Sequence, residues 1–309
     1  MSTAIRFLFS TFRCSPTDSE FVGERGTFKL PASLRFKESL GKDILILDLE
    51  TRPLQSDTEW RKERFDWRKL DYLSSGIFSH YTYAMIHGYS YQFVQAPAFS
   101  DRHNTWIKPS AFAQVLQKSP HYKFIVFLDA DATFHHMQLP IEWLLNYWQI
   151  EERHSITLAL DPWEKERPHQ NADRFDRALG NTGFMIIQNN NMTMEILKAW
   201  HECPDNVRYA GCSRWKNPMF HEQSAFGEFI RYDYPTFIKE LECRDANGSP
   251  GVEVSQCKGE FVRHFWLDKG RVKSEFAENV MGALTRDVQR EFSLNRGGFV
   301  GRLEENRIP

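Results

Sequence analysis

The chain has 309 residues, of which 41% are hydrophobic and 14% aromatic. That length and apolar content exclude a disordered or collagenous chain and fit one large α/β domain. Its 39 basic and 41 acidic side chains leave a formal charge of -2, so no global basic field speaks for nucleic acid as a partner. An apolar cluster from Ile5 to Phe12 is broken by Arg6, Ser10 and Thr11. It is too short to span a bilayer and no small-residue cleavage pattern follows it. No membrane anchor is expected and the cytoplasm is the expected compartment; a vestigial signal or an interfacial segment is the alternative.

Residues 1–40 mix Ser, Thr, Gly and charge without a period and read as an irregular lead-in. One α/β domain is expected over 41–272, and a peripheral helix with a tail over 273–309. The run DILILDL at 43–49 has the profile of a buried parallel strand. Residues 55–69 are charge-dense and predict a loop leading into a solvated helix. After Ser79 the sequence predicts a helix stopped by Gly88, then a strand over 89–94. A helix follows from Pro109 to near Pro120, with the apolar run FIVFL directly behind it. A helix from Pro140, a strand over 155–161, a strand over 184–188, and helices over 192–201 and 221–232 complete the alternation. Such a pattern argues for a mostly parallel central sheet flanked by helices. A short strand is expected over 260–266.

Five cysteines form no C-x-x-C pair, which speaks against a zinc ribbon. Cys203 with Cys212 and Cys243 with Cys257 could each close a short loop, yet the odd count and the size of the core are equally compatible with free thiols. Two tripeptides, Asn191-Met192-Thr193 and Asn247-Gly248-Ser249, fit the N-glycosylation acceptor pattern.

The most informative stretch is FIVFLDADATF, where an apolar strand runs straight into Asp129 and Asp131. The carboxyl end of a parallel strand is where open α/β folds bind ligands. If the chain stays extended, residues i and i+2 face one side, and the two carboxylates can share a divalent cation or bind it through water. A hard cation takes carboxylate oxygens and completes its shell from phosphates. Asp161, at the end of a later strand, is a further candidate for ligand contact.

Taken together and in order, LDADATF, NTGFMIIQN, HEQSAF and VRHFWLDKG make the chain resemble glycosyltransferase family 34, the galactosyltransferase, mannan-polymerase-subunit and xyloglucan xylosyltransferase group. The resemblance implies a GT-A fold, a nucleotide diphosphate sugar donor, transfer with retention, and Mn²⁺ with Mg²⁺ as the alternative. It makes Asp129, Asp131 and His264 the metal ligands and puts Lys269 on the diphosphate. Lys108, Asn181, Thr182 and Gly183 fall on the donor and acceptor side, and Glu222 and Gln223 beneath the reacting carbon. The family usually carries an acidic residue where this chain has His221. The acceptor is then a hydroxyl of a glycan or small molecule, and the Golgi becomes the alternative compartment. Two other readings are a metal-dependent nucleotidyltransferase or phosphohydrolase, and a non-catalytic sugar-binding module on the same scaffold.

Overall fold

Alternate side chains of the central strands enter two different cores, which is why these strands read as continuous apolar runs. In β3 (Ile44–Glu50), Ile44 and Ile46 join one core while Leu45 and Leu47 join the other. In β5 (Phe124–Leu128), Phe124, Val126 and Leu128 face the first core, and Ile125 and Phe127 the second. The computed structural model describes residues 13–52, 63–164 and 171–296. The apolar cluster at 5–12 and part of the charge-dense stretch at 55–69 lie outside them.

Six strands form the main sheet in the order β4-β3-β5-β8-β7-β9, with β4 at Ser90–Gln95, β7 at Ile156–Leu160, β8 at Gly180–Gln188 and β9 at Ile238–Leu241. Three of the five pairings are parallel, and only β8 runs against its neighbours. Because β8 is reversed, its first residues lie at the same sheet edge as the last residues of β3, β5 and β7. That edge gathers Glu50, Asp129, Asp161 and Asn181. On one face pack α1 (Tyr72–His87) and α3 (Ile141–Tyr147); on the other pack α2 (Ile107–Lys118), α4 (Thr193–Glu202) and α5 (residues 221–233). The last of these is α-helical at both ends with a π-helical turn at Phe226–Ile230. A long helix, α6 (Arg271–Asn295), lies against α1.

Several expectations are corrected. The segment read as an irregular lead-in carries a hairpin, β1 (Glu20–Gly23) with β2 (Gly26–Lys29), and Phe21 is buried against Trp143 and His136. Two four-residue strands are too short to show a period. Helix α1 begins at Tyr72, not after Ser79, with the Asp71 carboxylate accepting from Ser74 N at 2.7 Å, and it ends as predicted at Gly88 with φ 76°. Its Ser-Ser-Gly start looks like a loop because the helix needs a small face there: a Cβ on Gly76 would stand 2.2 Å from the Ala130 carbonyl. Asn181, Thr182 and Gly183 belong to β8 itself instead of preceding it. The expected strand at 260–266 is the three-residue β10 (Val262–His264), paired with β6 (Ala132–Phe134). Both cysteine pairs are disulfides, and Cys14 is free.

One buried pair fastens α1 to β3 and to the turn after β5. His80 Nδ1 lies 2.6 Å from Asp48 Oδ1 and Nε2 lies 2.8 Å from the Ala132 carbonyl, while Tyr91 donates to Asp48 Oδ2 at 2.5 Å. Both ring nitrogens face acceptors, so the ring carries two protons. Burial pulls its pKa down, but the Asp48 charge and these hydrogen bonds win and hold it above 6.5. A raised folded pKa stabilises the fold fully below the unfolded value and loses that contribution as pH rises through the folded one. His80→Gln is therefore expected to lower stability by about 3 kcal/mol near pH 6. Urea titrations across pH should show the gap between wild type and variant narrowing as alkalinity increases; a gap that widens would refute the charged pair.

Candidate active site

β5 ends at Leu128, and Asp129 N still donates to Gly183 O at 2.7 Å, so the sheet carries the chain to the first carboxylate. Then Ala132 N donates to Asp129 O at 2.8 Å, closing a turn from which β6 leaves. The two carboxylates thus converge through a turn, not through an extended strand. β10 pairs with β6 so that His264 stands opposite Ala132, and Phe265 N donates to Asp131 O at 2.7 Å. One ligand atom from each of Asp129, Asp131 and His264 lies within 4.8 Å of the others. His264 Nε2 is 3.2 Å from Asp131 Oδ1, and its Nδ1 is buried without a partner among the described residues.

The imidazole has room only because residue 183 is glycine: a Cβ there would stand 2.0 Å from His264 Cε1. Asp131 would be raised by burial, but His264 and the Lys269 ammonium, 2.9 Å from Oδ2, hold it well below the usual carboxylate range. For Asp129, burial and the neighbouring Asp131 charge outweigh Lys108 and push the pKa up. Two converging carboxylates and a buried imidazole make an oxygen and nitrogen donor set that fits a divalent cation.

Lys108 is buried between two carboxylates. Its Nζ lies 3.2 Å from Asp129 Oδ1 and 3.1 Å from Glu222 Oε1, and it donates to the carbonyl and hydroxyl of Thr182, each at 3.1 Å. The Thr182 hydroxyl donates in turn to Glu222 Oε1 at 2.9 Å. Burial would raise Glu222, yet the ammonium and the hydroxyls around it leave its pKa lowered.

A second network is built from amides. Asp161 accepts from Asn181 Nδ2 at 2.8 Å, Asn247 Nδ2 at 3.1 Å and Gln223 Nε2 at 2.6 Å. The Gln223 carbonyl accepts from Thr182 N at 3.1 Å, and the Asn181 carbonyl from Gly183 N at 2.8 Å. Both faces of the Gln223 amide are therefore fixed while it borders the pocket.

These groups line a pocket of ≈ 870 Å³ that runs from the end of β3 to the segment after β10. The sequence-predicted residues Lys108, Asp129, Asp131, Asp161, Asn181, Gln223, His264 and Lys269 all border it. Thr182 and Gly183 stand directly behind. Glu222 does not border it and is 2% exposed. Sequence reasoning missed the wall formed by Glu50, Arg52 and Tyr72, where Arg52 forks onto Glu50 at 2.9 and 2.6 Å and reaches Tyr72 Oη at 2.9 Å. The strand-end rule that found Asp129 applies equally to Glu50. It also missed His103, whose ring stacks on His221 with centroids 3.5 Å apart.

Residues 56–241 match the galactosyl transferase GMA12/MNN10 family. No curated protein sequence matches the chain. Among solved structures, it is similar to a glycosyltransferase involved in the glycosylation of the major capsid of PBCV-1. Identity there is 15%, with 76% of this chain and 98% of that one covered and a TM-score of 0.54. It is also similar to mouse xyloside xylosyltransferase 1, at 13% identity, 73% and 97% coverage and a TM-score of 0.42. The fold is of the GT-A type.

The close approach at residue 183 yields a test of the cation site. Gly183→Ala is expected to displace the His264 ring and weaken Mn²⁺ binding by roughly 10–100-fold while the far-ultraviolet spectrum stays unchanged. Calorimetric titration with MnCl₂ would measure this; unaltered affinity would show that His264 does not hold the ion.

Proposed function

The chain belongs to the galactosyl transferase GMA12/MNN10 family and is a glycosyltransferase; on that premise we propose that it is metal-dependent and retaining, moving a hexose or pentose from a nucleotide diphosphate sugar to a glycan hydroxyl. The observation that carries this reading is the convergence of Asp129, Asp131 and His264 on one wall of a pocket large enough for a nucleotide sugar. Among the described residues this is the single such group, whereas a two-metal phosphohydrolase needs ligands for a second cation.

A divalent cation held there, Mn²⁺ by preference or Mg²⁺, supplies positive charge to the leaving diphosphate. Lys269, half exposed at the pocket wall, contributes a second positive charge to the same oxygens once it turns from Asp131. Lys108 keeps Asp129 in position and is itself too committed to protein oxygens to reach the donor. In the same-face route the bond from the anomeric carbon to the diphosphate oxygen breaks as the bond to the acceptor oxygen forms. The acceptor's proton passes to the departing oxygen. Gln223, clamped by Asp161 and Thr182, presents an oriented amide to the positive charge that develops on the sugar. Asn181 and Asp161 border the sugar and acceptor side. The burial of Glu222 behind Lys108 supports this route over a double displacement, which needs an accessible nucleophile.

No described helix is long and apolar enough to cross a membrane. The two disulfides support an oxidising compartment, such as the Golgi lumen, over the cytoplasm first expected.

Nucleoside diphosphate release from UDP-galactose, UDP-glucose, UDP-xylose and GDP-mannose should occur with Mn²⁺ and stop with EDTA. Asp131→Asn is expected to slow it about 10³-fold without unfolding the chain; equal turnover in EDTA would overturn the metal-dependent reading. Glu222→Gln is expected to keep measurable activity. Complete loss restored by azide would make Glu222 the nucleophile and exclude the same-face route.

A further inference from the structure

Three asparagines follow one another directly behind β8, and the fold uses only the first two. The Asn189 amide nitrogen donates to the carbonyls of Pro120 and Tyr122 at 3.2 and 3.1 Å. Asn190 is held from both ends. Its amide nitrogen donates to Glu152 O at 2.9 Å, and its carbonyl accepts from Ser155 Oγ at 2.8 Å and from Met192 N and Thr193 N at 3.1 and 3.2 Å. Asn191 is exposed, and among the described residues its side chain has no hydrogen-bond partner. It is also the one of the three with a hydroxyl residue two positions on, Thr193. Resting on the oxidising-compartment reading above, we propose that Asn191 is a modification site that carries an N-linked oligosaccharide, and that Asn247 carries none.

The step joins the Asn191 side-chain nitrogen to the anomeric carbon of an oligosaccharide carried on a lipid diphosphate. The bond from that carbon to the diphosphate oxygen breaks, and one amide proton leaves with the released diphosphate. The acceptor pattern needs the Thr193 hydroxyl, which in the folded chain is buried and donates to Gln188 O and Asn190 Oδ1. Transfer therefore belongs to the chain before this turn closes. What the fold decides is whether the product can be accommodated.

At Asn191 there is room for it. Met192 packs onto the second core and Thr193 is buried, so the turn leaves the Asn191 amide alone on the outside. None of residues 189–193 borders the main pocket. Gln188 pairs with Phe124, the first residue of β5, whereas Asp129 follows the last, so a five-residue strand, roughly 16 Å, separates the attachment end of the sheet from the cation site. A bulky chain on Asn191 leaves the pocket open. The second tripeptide fails the same comparison, because Asn247 is buried and its amide nitrogen donates to the Leu160 carbonyl and to Asp161 Oδ1, each at 3.1 Å.

The test is secretion of the full chain from eukaryotic cells behind a cleavable signal, with its mass measured before and after peptide N-glycosidase. The enzyme should release a glycan, and peptide mapping should find the resulting asparagine-to-aspartate conversion at position 191 and not at position 247. Asn191→Gln should abolish the mass shift. Ser249→Ala, which removes the second acceptor pattern and keeps Asn247, should leave the shift as in wild type. A secreted chain bare at Asn191, or one glycosylated at Asn247, overturns the proposal. Alkylation without reductant reports separately on the compartment reading, since the two disulfides leave Cys14 as the one reactive thiol. A single reactive thiol without a glycan removes the modification site alone. A glycan on Asn191 with all five cysteines reactive removes the support for an oxidising compartment and leaves the site.

Discussion

One buried ammonium organises the edge of the sheet that borders the main pocket. Lys108 comes from α2, Asp129 from the turn after β5, Thr182 from β8 and Glu222 from α5, and all of them meet within hydrogen-bond distance of a single Nζ. Without that charge two carboxylates would face each other in a medium of low dielectric constant. Removing one partner of a buried pair costs about 3–5 kcal/mol. The geometry leaves little choice of residue. A compact ammonium points its donors at oxygens on three sides, which a planar guanidinium does not do.

Around this knot the pocket divides by chemistry. One side carries the ionisable groups Asp129, Asp131, His264 and Lys269. On the other side the amides of Asn181 and Gln223 border the pocket and, with the buried Asn247, gather on the one carboxylate of Asp161. Burial raises the pKa of Asp161 against the pull of those amides. A nucleotide sugar has the same division along its length, with charge at the diphosphate and neutral hydroxyls on the ring. Fixed charges suit the end where negative charge grows as the bond breaks, and fixed dipoles suit the end that must be told apart from its epimers.

Local pattern was enough to read the parts of this arrangement that are local. The apolar run into Asp129 and the Gly88 helix stop each depend on neighbours in the chain, and the structure agrees with both. His264 is different: it lies 133 residues from Asp131, and a three-residue ladder joins them. Spacing alone marks that histidine as ordinary, and only the likeness to a known family singled it out. The committed state of Lys108, the Asp48–His80 pair and the early start of α1 were illegible for one reason. Each is set by what packs against it from a distant segment, as when Gly76 lies on the Ala130 carbonyl. The disulfides were open in the sequence because pairing depends on Cα separations, here 5.5 and 5.0 Å, that no count of cysteines gives.

The two glycosylation tripeptides end in opposite situations. Asn191 lies exposed in the turn before α4, while Asn247 is 1% exposed and its amide nitrogen donates to Asp161 and to the Leu160 carbonyl. A sugar chain attached to that nitrogen could not be accommodated, and Asp161 and Trp266 would lose the group that orients both. A sugar on Asn247 and the folded arrangement of the loop closed by the Cys243–Cys257 disulfide therefore exclude each other, and a chain folded in this way carries none at that position.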